Sequence, residues 1–193
     1  MSRRSATAVS SAVPDVGVAG LLVLLVCGGI AGSAVGLLKL RLGIPGSSIV
    51  LAALPIALGV SLIPRRLAGS LMSVGALGTA WLLSAGGADS YGPGSLVSLC
   101  LLGPMMDLAW RVARSGRRIY VSLVFAGVAS NLLALGSRAA AKLAGLDGAD
   151  ARPFDSWWMQ AAITYTLSGV VAGLIGAFCW FQFRDRSTPP PFA

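Results

Sequence analysis

One carboxylate stands inside an apolar stretch of this chain and is the first candidate for chemistry. In "LLGPMMDLAWRVARSGRR", residues 101–118, Asp107 precedes a run of arginines. An acid within a membrane segment is a candidate for proton or substrate handling. Arg111 follows on the same helical face, so a structural ion pair with Arg111 or Arg114 is the alternative that we predict. A contact with a second subunit is a third interpretation.

Polar and aromatic side chains in four other segments form a second candidate group. An amide, hydroxyl groups and aromatic rings hold a small, polar, planar ligand by hydrogen bonding and stacking. Asn131 has an alternative role as an interhelical hydrogen bond, since a buried amide in lipid needs a partner. Trp157 and Trp158 are expected at a membrane interface. The predicted substrate-binding residues are Trp81, Asn131, Gln160, Thr164, Tyr165 and Ser47.

The remaining reactive residue types argue against catalysis. The chain has no histidine, which removes the commonest general base and transition-metal ligand. Cys27, Cys100 and Cys179 lie far apart in apolar runs and form no metal-binding pattern. A lone carboxylate without a second acid or base makes no catalytic site. We therefore expect no enzyme activity, no metal and no cofactor.

The composition is that of a membrane protein. Of the 193 residues, 55% are hydrophobic and 11% are charged, whereas soluble domains carry about 25% charged residues. We predict an all-α integral membrane bundle of about six helices in a single domain, 1–193, with an N-terminal tail at 1–16 and a C-terminal tail at 182–193. The apolar segments lie at about 17–38, 44–63, 67–85, 94–110, 119–136 and 159–181.

The charges predict the orientation of this bundle. The net charge is +8, and most arginines fall in alternate connections and in both tails. By the positive-inside rule, both termini are cytoplasmic, and the longest connection, about 137–158, is external. The cations then face the lipid bilayer and not nucleic acid, because no basic stripe is interleaved with aromatic residues. We expect a multi-pass protein of the plasma or inner membrane.

Small residues and helix breaks suggest contact surfaces. Gly28, Gly32 and Gly36 recur at four-residue spacing, which lets another helix approach closely. This face either docks a second membrane subunit or packs within the same bundle. The Gly103-Pro104 pair interrupts a helical segment, as happens beside the substrate sites of transporters.

These features resemble the substrate-binding S-components of energy-coupling factor (ECF) type ABC transporters. The resemblance is carried by the small-residue face Gly28, Gly32 and Gly36, by "GIPGSS" at 43–48 and by "LLGPMMDLA" at 101–109. Family members usually have an AxxxA-type motif where this chain has glycines, on the helix that meets the T-component. The family's metal-ion branch uses an N-terminal histidine motif, which this chain lacks.

The resemblance implies a transport subunit that captures a small organic micronutrient, a vitamin or a precursor, from outside. Its partners would be a transmembrane T-component and ATPase subunits, because the chain has no nucleotide-binding motif of its own. The alternative is a non-catalytic structural or assembly subunit of a larger membrane complex. That alternative needs no ligand site, so the function of Asn131 distinguishes the two.

Overall fold

Six α-helices make up the part of the chain that the structure describes. This structure is a computed structural model that describes residues 17–42, 46–63, 65–87, 91–113, 117–145 and 154–183, and these residues contain no strand. The predicted all-α membrane bundle is therefore confirmed. The predicted tail 1–16 lies outside the described residues, as does 184–193 of the other tail. The helices are α1 Val18–Leu42, α2 Ser48–Leu62, α3 Ala68–Ala85, α4 Pro93–Val112, α5 Arg117–Leu143 and α6 Phe154–Phe183.

The helices α5 and α6 are longer than their apolar segments. Residues 137–143, "SRAAAKL", contain two cations and end the hydrophobic run, yet α5 continues through them to Leu143. Alanine, arginine and lysine favour helices strongly, so the backbone stays helical where the hydropathy falls. The predicted connection at 137–158 is therefore too long, because α5 extends to Leu143 and α6 already begins at Phe154.

Neighbouring helices of the bundle include both parallel and antiparallel pairs. Gly28 and Gly32 of α1 face the backbones of Met72 and Ala76 in α3, so these two helices are parallel. Gly103 of α4 faces the backbone of Gly69 in α3, and α4 returns in the opposite direction. Around the bundle the main neighbours follow the order α1, α3, α4, α5, α6, α2 and α1 again.

Helix α2 is shorter than the other helices and lies among them. It has 15 residues, a length of about 22 Å at 1.5 Å per residue, against about 30 Å of bilayer hydrocarbon. The other five helices are long and apolar enough to cross a membrane. Besides α1 and α6, α2 contacts α3 and α4, and a majority of its residues are buried. The second predicted segment thus forms a mostly enclosed helix.

The two ends of the bundle carry different groups of residues. The Asp107 end holds Asp107 together with the contact between Trp110 and Trp180, whose ring centroids are 5.2 Å apart. The Asn131 end holds Asn131, the start of α2 and the start of α4. A large apolar cluster fills the bundle, and a smaller one at the Asn131 end comprises Ala134, Leu135, Ala139, Trp157, Ala161 and Tyr165.

Candidate functional site

Asn131 joins three separate segments at the Asn131 end. Its side chain is 0% exposed. The Nδ2 atom donates to the carbonyl oxygen of Tyr165 in α6 at 2.6 Å and to that of Gly46, before α2, at 3.4 Å. The expected interhelical hydrogen bond is therefore present, and it includes the turn that precedes α2.

The other amide atom of Asn131 is unsatisfied. Oδ1 is buried and accepts no hydrogen bond from the described residues. Leaving such an acceptor unpaired costs about 1–3 kcal/mol. An O–H or N–H group from another molecule would recover this energy, so the atom is a candidate contact for a ligand.

Tyr165 and Gly46 pack directly on each other beside Asn131. Gly46 has φ +82°, in the left-handed region that favours glycine. A Cβ atom on Gly46 would lie 3.0 Å from both Cα and Cγ of Tyr165. Tyr165 itself is buried, and its hydroxyl oxygen would be 3.2 Å from a Cβ on Gly94, at the start of α4. The turn before α2 is thus seated on the tyrosine.

The first turns of α2 and α4 meet at the same end. The hydroxyl oxygens of Ser48 and Ser95 are 3.4 Å apart and both side chains are buried. Ser47 is the N-cap of α2 and lies next to Gly46, but its side chain makes no capping hydrogen bond. Gly92 at the N-cap of α4 has no side chain to cap with. The positive ends of two helix dipoles therefore lie near Asn131.

The structure does not bring the other predicted site residues into this cluster. Trp81 is 70% exposed on α3 and points away from the bundle. Gln160 is exposed, and the hydroxyl of Thr164 donates within its own helix, to the carbonyl oxygens of Gln160 and Ala161, both at 3.0 Å. Of the six predicted residues, Asn131 and Tyr165 are in contact and Ser47 adjoins them through Gly46.

The glycine face of α1 is covered by the chain itself. A Cβ on Gly28 or Gly32 would collide with the backbone carbonyl of Met72 or Ala76 in α3. Gly36 would collide with the ring of Tyr91, whose hydroxyl donates to the carbonyl of Gly32 at 2.8 Å. The interpretation of Gly28, Gly32 and Gly36 as a docking face is therefore corrected, because α3 and Tyr91 already occupy it.

Asp107 caps a helix and is not paired with arginine in the described residues. It is 3% exposed. Its Oδ1 accepts from the backbone N–H of Gly69 at 2.9 Å, and its Oδ2 accepts from the N–H and hydroxyl of Ser70 at 2.8 and 2.7 Å. The carboxylate thus satisfies the first turn of α3 and faces the positive end of its dipole.

This geometry corrects the predicted ion pair of Asp107 with Arg111, and the predicted pair with Arg114 stays a prediction. Arg111 is exposed on the surface of α4, and Arg114 lies outside the described residues. The predicted interruption at Gly103-Pro104 is wrong, because α4 is one continuous helix from Pro93 to Val112 with Pro104 inside it. The Gly103 N–H donates to the Ser73 hydroxyl at 3.2 Å where α3 and α4 are in backbone contact.

Three residues at the Asn131 end were not predicted as part of a site. Trp157 is 7% exposed and is buried within the bundle, whereas Trp158 is exposed. The expected place of both residues at a membrane interface stays a prediction. The Arg138 Cζ atom lies 5.6 Å from the centroid of the Trp157 ring and the Lys142 Nζ atom lies 5.1 Å from it. The spacing of Arg138 and Lys142 places them on the same face of α5 as Asn131, but this signal is visible only if α5 continues past residue 136.

Neither a metal-binding group nor a similarity to known proteins assigns a function to this site. Within the described ranges, no three His, Cys, Asp or Glu side chains lie close enough to hold a metal ion. Comparison with protein-family models, curated proteins and solved structures gives no match.

Proposed function

We propose that this chain is the substrate-capturing membrane subunit of an ECF-type transporter and binds a small organic micronutrient at the Asn131 end. The observation that carries this proposal is the fully buried Asn131 side chain with its unpaired Oδ1. A ligand O–H or N–H group would donate to this atom. The ligand would lie beside the first turns of α2 and α4.

The turn before α2 would control the access of a solute to Asn131 Oδ1. Gly46 is held by the Asn131 amide through a long hydrogen bond of 3.4 Å and by packing on Tyr165. The long bond is the weaker of the two that Asn131 donates, so opening at Gly46 leaves the 2.6 Å bond to Tyr165 intact. Movement of this turn is therefore the route by which a solute from outside reaches Oδ1.

The partners belong to the proposal as well. A T-component and ATPase subunits would supply the energy for release, and the protein would reside in the plasma or inner membrane. Since α3 and Tyr91 cover the glycine face of α1, a T-component would contact other parts of the bundle surface.

One observation favours the alternative, a structural subunit of a larger membrane complex. The 2.6 Å bond from Asn131 to the Tyr165 carbonyl ties α5 to α6. That bond alone gives the amide a structural reason to be present. Under this alternative Asn131 stabilises the bundle and binds no solute.

Substitution of Asn131 separates the two functions. The purified wild-type chain should release a bound small molecule on denaturation, detected by mass spectrometry, and Asn131→Leu should release none. Ser130→Ala is the matched control, because Ser130 is equally buried and, among the described residues, its hydroxyl donates to the Ala126 carbonyl of its own helix. We expect this control to keep the ligand.

Two results would count against the proposal. One is a wild-type chain that carries no small molecule after mild purification. The other is Asn131→Leu that keeps its ligand at the wild-type level. Loss of ligand in both variants would indicate general destabilisation, and their melting temperatures identify that case.

A further inference from the structure

The outer turns of α5 carry two cations over one indole ring. Arg138 and Lys142 are one helical turn apart and both lie within 6 Å of the Trp157 ring centroid, at 5.6 and 5.1 Å. The ring attracts each cation through its quadrupole, but it has no net charge. The mutual repulsion of two like charges at this spacing therefore remains.

The described side chains provide no counter-charge at this end. Asp107 is the one carboxylate whose side chain the structure describes, and it caps α3 at the opposite end. The negative charges nearest to Arg138 and Lys142 in sequence are Asp147, Asp150 and Asp155, whose side chains lie outside the described residues. An anion bound from solution would neutralise the pair directly.

Two further groups that could contact a ligand lie at the same end of the bundle. A Cβ on Gly94, in the first turn of α4, would lie 3.6 Å from the Cβ of Arg138, so the arginine stands beside the positive end of that helix. The unpaired Oδ1 of Asn131 lies seven residues below Arg138 on α5, about 10 Å along the helix axis. The cations Arg138 and Lys142 and the acceptor Asn131 Oδ1 thus lie along one face of α5, separated by about 10 Å.

We infer that the Asn131 end binds an organic anion. Its carboxylate or phosphate contacts Arg138 and Lys142 at the start of α4, and an O–H or N–H group about 10 Å away donates to Asn131 Oδ1. As the class of the transported solute this inference rests on the proposed function. As an anion site it stands without it. A phospholipid phosphate presents the same anionic chemistry, so the source of the anion is part of the test.

The first test uses inorganic phosphate as the probe. The full chain in neutral detergent is unfolded thermally in sodium phosphate and in sodium chloride of equal ionic strength. At tenfold excess over its Kd, phosphate should raise the melting temperature by about 3–6 °C. The double variant Arg138→Gln/Lys142→Gln should lose this rise, and Arg138→Lys/Lys142→Arg should retain it because the charges remain.

A matched control removes two cations at the other end. Arg111→Gln/Arg118→Gln changes the net charge equally, and both side chains are exposed. It should keep the phosphate effect. Equal phosphate effects in the two double variants, or no effect in the wild type, would overturn the inference.

Further arms separate the possible counter-charges. Asp147, Asp150 and Asp155 are changed together to asparagine. If Arg138 and Lys142 bind an anion from solution, the loss of nearby negative charge should increase the stabilisation by phosphate. If phosphate stabilises only this triple variant, those acids are the partners and the inference fails. Nanodiscs of phosphatidylcholine with and without phosphatidylglycerol identify the source. If phosphatidylglycerol stabilises the chain and free phosphate does not displace it, the bound anion is a lipid phosphate. That result would overturn the inference that the anion is a solute.

Ligand release distinguishes this inference from the proposed function. If phosphate stabilises the chain through Arg138 but no small molecule is released on denaturation, the anion site is supported and the transport role is refuted. If the released small molecule is uncharged and its amount is unchanged in Arg138→Gln, the transport role is supported and the anion site is refuted.

Discussion

Replacing Asp107 by asparagine tests the helix-capping role most directly. Asparagine keeps one side-chain oxygen but places an NH2 group where the second oxygen accepts, against a backbone N–H of Gly69 or Ser70. Losing one charged hydrogen bond costs about 1.5–3 kcal/mol. Losing the negative charge at the start of α3 adds about 0.3–1 kcal/mol. We expect a total destabilisation of about 2–4 kcal/mol.

The assay is thermal unfolding of the purified chain in detergent, followed by tryptophan fluorescence. For a chain of this length the expected loss lowers the melting temperature by about 4–16 °C. Ser70→Ala should have a smaller effect, because it removes the hydroxyl donor and keeps the backbone N–H that bonds Asp107 at 2.8 Å.

The control is Arg111→Gln. Arg111 is exposed, and the described hydrogen bonds of Asp107 come from Gly69 and Ser70. We expect this change to alter stability by less than about 0.5 kcal/mol. If Arg111→Gln destabilised the chain as much as Asp107→Asn, the ion pair would be the correct description. If Asp107→Asn melted with the wild type, the capping role would be refuted.

Two pairs of glycine substitutions test the packing of the bundle. Gly32→Ala should lower the melting temperature because its Cβ would lie 2.6 Å from a backbone carbonyl of α3. Gly78→Ala, where a Cβ meets nothing within 4 Å, should gain about 0.5–1 kcal/mol from helix propensity; equal effects would refute the close α1–α3 contact. Gly46→Ala should destabilise by more than Gly87→Ala. Both have positive φ, of 82° and 86°, but only at Gly46 does the Cβ meet a neighbouring side chain. Similar losses at the two positions would show that the turn before α2 is not seated on the tyrosine.

The helices were largely predictable because hydropathy reports burial in lipid along the chain. The extent of α5 was not, since "SRAAAKL" favours a helix without being apolar. The spacing of Gly28, Gly32 and Gly36 predicted that a backbone approaches closely. The spacing did not predict which backbone, because a helix of the same chain and a helix of another subunit would both fit against these glycines.

The candidate site was only partly predictable for a related reason. Asn131 and Tyr165 were identified by polarity inside apolar segments, and their contact joins α5 to α6. The partners of Asp107 lie 37 and 38 residues earlier in the chain. Local spacing points to Arg111 instead, because it compares only neighbours on one helix. Long-range partners of this kind follow from the helix arrangement and not from any periodicity.

The short, enclosed α2 constrains the order in which the protein is assembled in its membrane. A helix of 15 residues is shorter than the roughly 20 residues that span a bilayer, so it inserts most readily as a hairpin with α1. Its other large contact is with α6, which is made after α1 to α5. Until α6 arrives, the face of α2 that will contact it has no protein neighbour. Synthesis of α6 is therefore the step that covers this face of α2, and chains that stop before Phe154 are expected to be degraded as unassembled intermediates.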